Sequence, residues 1–223
     1  MNKVASTTLS TKDRILDAAE RLLAKKGFKA TSLRAITAEA EVNLAAVNYH
    51  FQSKEALIRA VIARRIGPVN ERRIAMLDAI YAAAGDEPLP IAAVIDAFIR
   101  PVIEVRSRTK TIAPIMGRVF TESPEFLERF FRDHLADVTQ RFMAAFERAL
   151  PGLPREELFW RVHFLIGSMS HTMVVGELLK IISGGLCRTD DVEGLVTRMV
   201  TCFSAAFRAP YEEAQCETAA LSF

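Results

Sequence analysis

The sequence contains only three cysteines, Cys187, Cys202 and Cys216, and no two of them form a C-x-x-C pair. An odd number of separated cysteines predicts neither a disulfide framework nor a zinc site. The four histidines are dispersed as well, and none belongs to an H-E-x-x-H motif. We therefore expect no metal, no cofactor and a reducing, cytoplasmic environment.

Enzyme motifs and long apolar runs are also absent. No Gly-rich phosphate loop is present, and Ser168, His171 and Glu177 share a predicted helix without an arrangement that would activate a nucleophile. No uninterrupted apolar run approaches the roughly 18 residues of a membrane span, and Met1 to Thr11 is small and polar around one lysine. These absences argue against an all-helical enzyme and predict a protein that is neither secreted nor embedded in a membrane.

Charge is unevenly distributed along the chain. The 29 Lys and Arg against 27 Asp and Glu give a net charge of only +2, but residues 1–65 carry +6 and residues 66–223 carry −4. Basic charge concentrated on one small segment favours a nucleic-acid partner, because cations displace the counterions of phosphates. The acidic remainder holds most of the 14 phenylalanines and is expected to bind something else.

Apolar residues recur with the period of amphipathic helices, and no segment alternates with the period of two that strands show. The sequence therefore predicts an all-α fold. In the N-terminal part, helices are predicted from Asp13 to Gly27, from Thr31/Ser32, from Asn43 and over 53–66. In the C-terminal part, they are predicted over 69–84, from Ile91 to a kink or end at Pro101, over 124–150, over 154–183 and from Thr189 to Pro210. Pro114 is expected to break the segment between Pro101 and Pro124, and residues 211–223 are expected to be a loose tail.

Gly67 and Pro68 mark the first candidate domain boundary, because proline biases its predecessor away from helix. We expect an N-terminal domain over 1–66, with 53–66 as a connecting helix, and a second helical domain over 67–210. The three short helices that open the first domain have the arrangement of a helix-turn-helix unit, whose third helix enters the DNA major groove.

The stretch from Thr31 to Leu57 resembles the signature of the TetR family of bacterial transcriptional regulators. The residues that carry the resemblance are Val42, Asn43, Leu44, Ala45, Ala46, Val47, Asn48, Tyr49, His50, Phe51, Ser53, Lys54, Glu55 and Leu57. Two positions depart from the family pattern: Glu41 stands where the turn usually has glycine, and Thr37 where the second helix often has alanine. Glu41 must either adopt a left-handed backbone or alter the turn.

The resemblance implies two sets of DNA contacts. Tyr49, His50, Lys54, Thr31 and Ser32 would meet the DNA backbone, in agreement with the phosphate affinity of helix N-termini and of lysine. The base edges would be read by Asn43, Leu44, Ala45, Ala46 and Asn48, since Asn can pair with adenine and apolar groups contact thymine methyls. Simpler roles remain open, because Tyr49 and Phe51 could pack helix 3 onto helix 4 and Lys54 could be a solvated surface residue.

The resemblance also implies that the C-terminal domain holds a small-molecule cavity and a dimer interface. The predicted helix 154–183 is apolar on nearly all sides from Val162 onward, so it needs two packing partners. The interface candidates are Ser168, His171, Thr172, Val175 and Leu179 on that helix, with Met199 and Phe203 on the last one. Ordinary packing inside one subunit is the alternative for each of them.

A second resemblance, over residues 91–183, is to family members that repress fatty-acid degradation genes and respond to long-chain fatty acids or acyl-CoA esters. It lies in Ile95, Phe98, Ile99, Arg100, Pro101 and in Glu157, Leu158, Phe159, Trp160, Arg161, Val162, His163, Phe164. An acyl chain needs a long apolar lining with one polar group at its mouth. The candidates for that lining are Ile112, Met116, Phe120, Phe126, Phe130, Trp160 and Phe164, with Arg118 or Arg161 for the acid group.

The sequence thus predicts a homodimeric repressor that a small apolar effector, such as a long-chain fatty acid or acyl-CoA, releases from a palindromic double-stranded DNA operator. Activators share this architecture, so the sign of regulation stays open. The effector could also be an aromatic or efflux-type compound, or control could come from a partner protein.

Overall fold

A computed structural model describes residues 9–109, 111–119 and 124–211, apart from the side chains of residues 113 and 118. This part of the chain forms α-helices and contains no strand, which confirms the all-α prediction. The helices are α1 (Thr11–Lys26), α2 (Leu33–Ala40), α3 (Leu44–Phe51), α4 (Lys54–Ala84), α5 (Ile91–Arg108), α6 (Ile112–Val119), α7 (Pro124–His134), α8 (Ala136–Ala149), α9 (Arg155–Ile182) and α10 (Val192–Arg208).

Helix boundaries follow the local signals in the sequence. The Ser10 hydroxyl accepts a hydrogen bond from the Asp13 backbone N–H at 3.1 Å and begins α1, while Gly27 ends it at a φ of 87°. Asp191 caps α10 in the same way through the Gly194 N–H. These caps satisfy backbone donors that have no partner within the helix.

The predicted end of the connecting helix at Gly67 and Pro68 is wrong, because α4 continues through both residues to Ala84. Val69 and Leu77 are buried and continue the apolar stripe beyond the proline. Packing on both sides of Pro68 therefore outweighs its missing hydrogen bond. Pro101 likewise lies inside α5 without ending it, and Pro114 stands in the first turn of α6, where its missing N–H costs little.

The single helix predicted over 124–150 is also wrong, since it divides at Leu135 into α7 and α8. The two parts face different cores. Phe126 and Phe130 of α7 belong to the apolar cluster that contains α1 and the first half of α4, whereas Phe142 and Phe146 of α8 pack on Phe98 of α5. One straight helix could not turn its apolar stripe towards both cores.

Two apolar clusters result. The head cluster joins α1, α2, α3 and the first half of α4 to α6 and α7. The body cluster joins the second half of α4 to α5, α8, α9 and α10. Because α4 belongs to both clusters, it connects them as one continuous helix.

Among the described residues, α9 is long and apolar enough to cross a membrane by length and composition. One stripe of α9, which includes Leu158, Leu165 and Met173, is buried in the body cluster, and much of the rest of the helix is exposed.

Candidate nucleic-acid interface and effector domain

Helices α2 and α3 form a helix-turn-helix with a tight turn. Ser32 caps α2 through the Ala35 N–H at 3.1 Å, and Asn43 caps α3 through the Ala46 N–H at 2.8 Å. Between them, Glu41 adopts a left-handed backbone with φ 51° and ψ 49°. The turn therefore keeps the geometry that glycine usually provides, at the conformational cost of a side chain there.

The outward face of α3 is exposed where the resemblance requires it. Tyr49 is 82% exposed, Leu44 is exposed, and so are Ala45 and Asn48. His50 is half-buried and meets the Tyr49 ring edge-on at 5.0 Å. Leu44, Ala45, Asn48 and Tyr49 thus form one accessible surface, which we call the α3 face.

Phe51 behaves differently from its neighbours on α3, because its side chain is 5% exposed and packs in the head cluster. Phe51 therefore packs inside the protein, as the alternative in the sequence analysis proposed, whereas Tyr49 does not. Ala46 is also partly buried against the head cluster, so it offers less surface to DNA than expected. The side-chain oxygen of Asn43 accepts the cap hydrogen bond, which leaves its amide nitrogen for other contacts.

The prediction that the Thr31 side chain meets the DNA backbone is wrong, because this side chain is fully buried. Its hydroxyl donates to the carbonyl of Gly27 at 2.7 Å and lies 3.3 Å from the carbonyl of Leu22. Thr31 therefore fixes the loop between α1 and α2. Ser32 is exposed at the N-terminus of α2 and keeps the predicted position.

Lys54 is the first residue of α4 and lies near the end of α3. Its ammonium is 3.4 Å from the carbonyl of Lys29, and its side chain is half-buried. The group forms no ion pair among the described residues. Its charge is therefore available to a phosphate beside the α3 face.

The sequence pattern did not predict a cluster of charged residues that joins α1 to α4 around Glu20. Glu20 of α1 is 4% exposed, and its carboxylate accepts hydrogen bonds from Arg64 at 2.7 Å, from Arg65 at 3.0 Å and from the Thr111 hydroxyl at 2.5 Å. Burial alone would raise the pKa of Glu20, but the bonds from Arg65, Thr111 and Arg64 outweigh it and leave the pKa below its ordinary value. The only sequence signal was a glutamate beside the apolar stripe of α1.

The predicted ligand-lining residues do not share one site. Ile112, Met116, Phe126 and Phe130 lie near or in the head cluster, on α6 and α7. The side chain of Arg118 and all of Phe120 lie outside the described residues. Trp160 and Phe164 are 52% and 59% exposed on α9, so the prediction that they line an interior cavity with the others is wrong for this subunit.

Arg161 is not free to meet an acid group, which contradicts its predicted role. Its guanidinium is buried, pairs with Glu157 at 2.7 Å and donates to the carbonyl of Phe207 at 2.8 Å. It also donates to the carbonyls of Ala206 and Ala209. Arg161 therefore stabilises the C-terminal end of α10.

The dimer-interface candidates divide in a similar way. Ser168, His171 and Leu179 are exposed on α9, while Thr172 and Val175 are partly exposed. Met199 is 6% exposed inside the body cluster, so its predicted interface role is wrong. Phe203 packs partly against the same cluster.

Helix α9 nevertheless carries large exposed apolar side chains on both sides of a kink at Val175, and we call this surface the α9 face. Its large exposed side chains are Phe159, Trp160, Phe164, Val174, Leu178, Leu179, Ile181 and Ile182. The exposed side of α10 is built from smaller residues such as Thr201, Cys202 and Ala205. Large exposed apolar side chains in this number are typical of an interface.

The helix-turn-helix of α2 and α3 is joined by the long helix α4 to an all-helical C-terminal part. This architecture is typical of regulators that carry a DNA-binding domain and an effector domain in one chain. Residues 15–61 match the family model described as bacterial regulatory proteins, tetR family, and residues 96–206 match the model described as tetracyclin repressor-like, C-terminal domain. Together the two matches span more than two thirds of the chain. The protein belongs to the TetR family.

Comparison with individual proteins agrees with this placement. The HTH-type transcriptional regulator UidR of Escherichia coli is 36% identical over 62 residues, which are 28% of this chain and 32% of UidR. The chain spans less than a third of the length of the curated relatives it matches. The members of the family and these relatives are transcriptional regulators, which confirms the prediction that the protein is a regulator and not an enzyme.

Two solved structures share the overall fold. FadR of Bacillus subtilis in complex with stearoyl-CoA has a TM-score of 0.61 at 13% identity, with 86% of this chain and 96% of that chain covered. SmeT of Stenotrophomonas maltophilia, the repressor of a multidrug efflux pump, has a TM-score of 0.62 at 20% identity, with 88% and 90% covered. Both similarities concern the fold.

Proposed function

We propose that the protein is a homodimeric transcriptional repressor in the cytoplasm that binds a palindromic operator and is released from it by a small apolar effector. The observation that carries the proposal is the exposed α3 face beside the available charge of Lys54. Residues that point outward from a recognition helix can read bases, and a lysine next to them can hold a phosphate.

The α9 face supports the homodimer. Two copies that join these faces about a two-fold axis would bury the aromatic and aliphatic side chains that one copy leaves exposed. The two heads would then meet half-sites about one DNA turn, roughly 34 to 36 Å, apart. Spacing between the heads would therefore control affinity.

The proposed effector domain is the helical part over 67–210, which holds the body cluster together with α6 and α7. The fold similarity to FadR in complex with stearoyl-CoA supports a long-chain fatty acid or acyl-CoA as effector, and the apolar residues of α6 and α7 would contact its chain. The fold similarity to SmeT supports the second candidate, an aromatic or efflux-type compound. Control by a partner protein is a third candidate, which an exposed apolar patch outside the dimer interface would favour.

The route from effector to DNA would be α4 together with the Glu20 cluster. Helix α4 runs unbroken from Lys54 into the body cluster, and Thr111 ties the start of α6 to α1. An effector that displaces α6 or tilts α4 would move the heads out of register. Such a switch needs an effector that prefers the non-binding state, because equal affinity for both states shifts nothing.

Fluorescence anisotropy of the purified protein on DNA from its own upstream region tests the proposal. We expect a salt-sensitive complex that oleate, oleoyl-CoA or an aromatic effector dissociates. Lys54→Ala should weaken binding to all DNA sequences alike, whereas Asn48→Ala should change the sequence preference by about 1–3 kcal/mol at one base pair. No specific complex with that DNA, or equal effects of the two substitutions, would contradict the proposed roles.

A further inference from the structure

Arg73 is a buried cation without a carboxylate partner. It lies on the buried stripe of α4 between Val69 and Leu77, and its side chain is 7% exposed. The other arginine buried to this extent in the described chain, Arg161, pairs with Glu157. Arg73 forms no ion pair with any described acidic residue, although a buried charge is normally paired.

Neutral groups hold the Arg73 guanidinium in place on one side. Its Nε donates to the carbonyl of Phe98 at 2.8 Å, and its Nη1 lies 3.3 Å from the side-chain oxygen of Asn70. The guanidinium carbon stands 4.4 Å from the centre of the Phe98 ring. These contacts fix the orientation of the group but leave its charge unneutralised.

Asn70 connects Arg73 to the junction of α7 and α8. Asn70 is itself held there, because its amide nitrogen donates to the carbonyl of His134 at 3.0 Å. The Nη2 of Arg73 donates no hydrogen bond to any described residue, and it is not among the fully enclosed unpartnered atoms. Desolvation lowers the pKa of Arg73 to about 10, so the group remains charged at neutral pH.

We propose that Arg73 is an anion-binding site in the effector domain and that its ligand is a carboxylate attached to an apolar body. The inference rests on the proposed function, since it names the chemical class of the effector. The carboxylate would lie against the free Nη edge of the guanidinium. The apolar body would lie against the aromatic side chains beside Arg73. The rings of Phe98 and Phe142 pack edge-on with their centres 5.2 Å apart, so they would have to separate to admit it.

A carboxylate fits this site better than a phosphate does. The planar guanidinium matches the two oxygens of a carboxylate, and one buried cation neutralises one negative charge. A phosphate dianion would keep an uncompensated charge in an apolar environment. A free fatty acid or an aromatic acid therefore qualifies, whereas a CoA thioester has lost the carboxylate that Arg73 would recognise.

The experiment measures binding of decanoate and of 2-naphthoate to the full-length protein by calorimetry, each against its carboxamide. Three proteins are compared: the wild type, Arg73→Gln and the control Arg72→Gln, which alters the exposed neighbour that pairs with Glu104. We expect at least one acid to bind the wild type and Arg72→Gln more tightly than its carboxamide. Arg73→Gln should weaken the binding of that acid roughly 10- to 100-fold and leave the affinity for the carboxamide unchanged.

The proposal is overturned if neither acid binds the wild type, or if Arg73→Gln binds the acid as tightly as the wild type does. Equal sensitivity of decanoyl-CoA to Arg73→Gln would also overturn the carboxylate assignment. Should Arg73→Gln not fold, Arg73→Lys keeps the charge and loses the planar fork, so we expect a weaker acid complex, and unchanged affinity would contradict the proposal.

Anisotropy on operator DNA separates this proposal from the proposed function. If the wild type binds DNA and neither acid binds the protein, the proposed Arg73 site is wrong, while the proposed DNA-binding function is supported. If an acid binds through Arg73 and no DNA complex forms, the proposed repressor function is wrong, while the proposed Arg73 site is supported.

Discussion

The hydroxyl of Thr111, one residue before α6, donates a hydrogen bond to the carboxylate of Glu20 in α1. The same carboxylate holds Arg64 and Arg65 of α4. Three helices that are distant in sequence therefore meet at one buried acid. Removing that acid should loosen the contact between the head and the helices that lead into the body.

Glu20→Gln should lower the free energy of unfolding by about 2–3 kcal/mol, because two arginines would lose their shared anion. Urea unfolding monitored by circular dichroism measures the change. Asp17→Asn is the matched control, since Asp17 is more exposed and, among the described residues, pairs with Arg64 alone. It should cost less than about 1 kcal/mol. A larger loss for Asp17→Asn than for Glu20→Gln would refute the central role of Glu20.

The contribution of Glu20 should also depend on pH. Its pKa in the folded protein lies below the ordinary value of 4.5, so the stabilisation is complete above that value and is lost as the pH falls through the lower folded pKa. The stability difference between the wild type and Glu20→Gln should therefore shrink as the pH falls below 4.5. A difference that grows on acidification would show that the pKa is raised.

Thr31→Val should destabilise the protein by about 1–2 kcal/mol, because a buried hydroxyl donor to the Gly27 carbonyl is lost. The affinity of the folded protein for DNA should stay nearly unchanged, since this hydroxyl is not accessible to a phosphate. Thermal unfolding and anisotropy measure the two effects on one sample. Weaker DNA binding without loss of stability would restore the role that the family resemblance implied.

Glu41→Gly should stabilise the protein by about 0.5–1 kcal/mol, because Glu41 has a left-handed backbone that glycine adopts without strain. The contact of Glu41 with Arg14 at 3.6 Å is solvent-exposed and offsets little of this gain. Glu39→Gly in the last turn of α2, which also removes the exposed ion pair with Arg21, is the control and should cost about 1 kcal/mol. Destabilisation by both substitutions would mean that the Glu41 side chain matters more than its backbone.

Phe164→Asp should weaken dimerisation by about 3 kcal/mol or more, because the charge would enter the proposed interface from both copies. Sedimentation equilibrium gives the dissociation constant. Phe131→Asp is the matched control, since Phe131 is an exposed phenylalanine on α7 away from the α9 face, and its dimer should remain intact. An unchanged dimer in Phe164→Asp would place the interface elsewhere.

Local interactions explain what could be predicted in advance. The caps at Ser10, Asn43 and Asp191 and the apolar period of each helix depend on residues within a few positions of one another. The all-α class and the helix-turn-helix followed from these patterns, whereas the DNA-facing position of Asn48 followed from the family resemblance. The left-handed turn at Glu41 was one of two alternatives that the sequence left open.

The sequence by itself determined where most helices begin and which family the chain resembles. Only the tertiary structure decided that α4 continues through Pro68, that Arg161 is held by α10 and that Glu20 joins three helices. Each of these outcomes depends on groups brought together from distant parts of the chain, where packing outweighs local preference and fixes which charges find a partner.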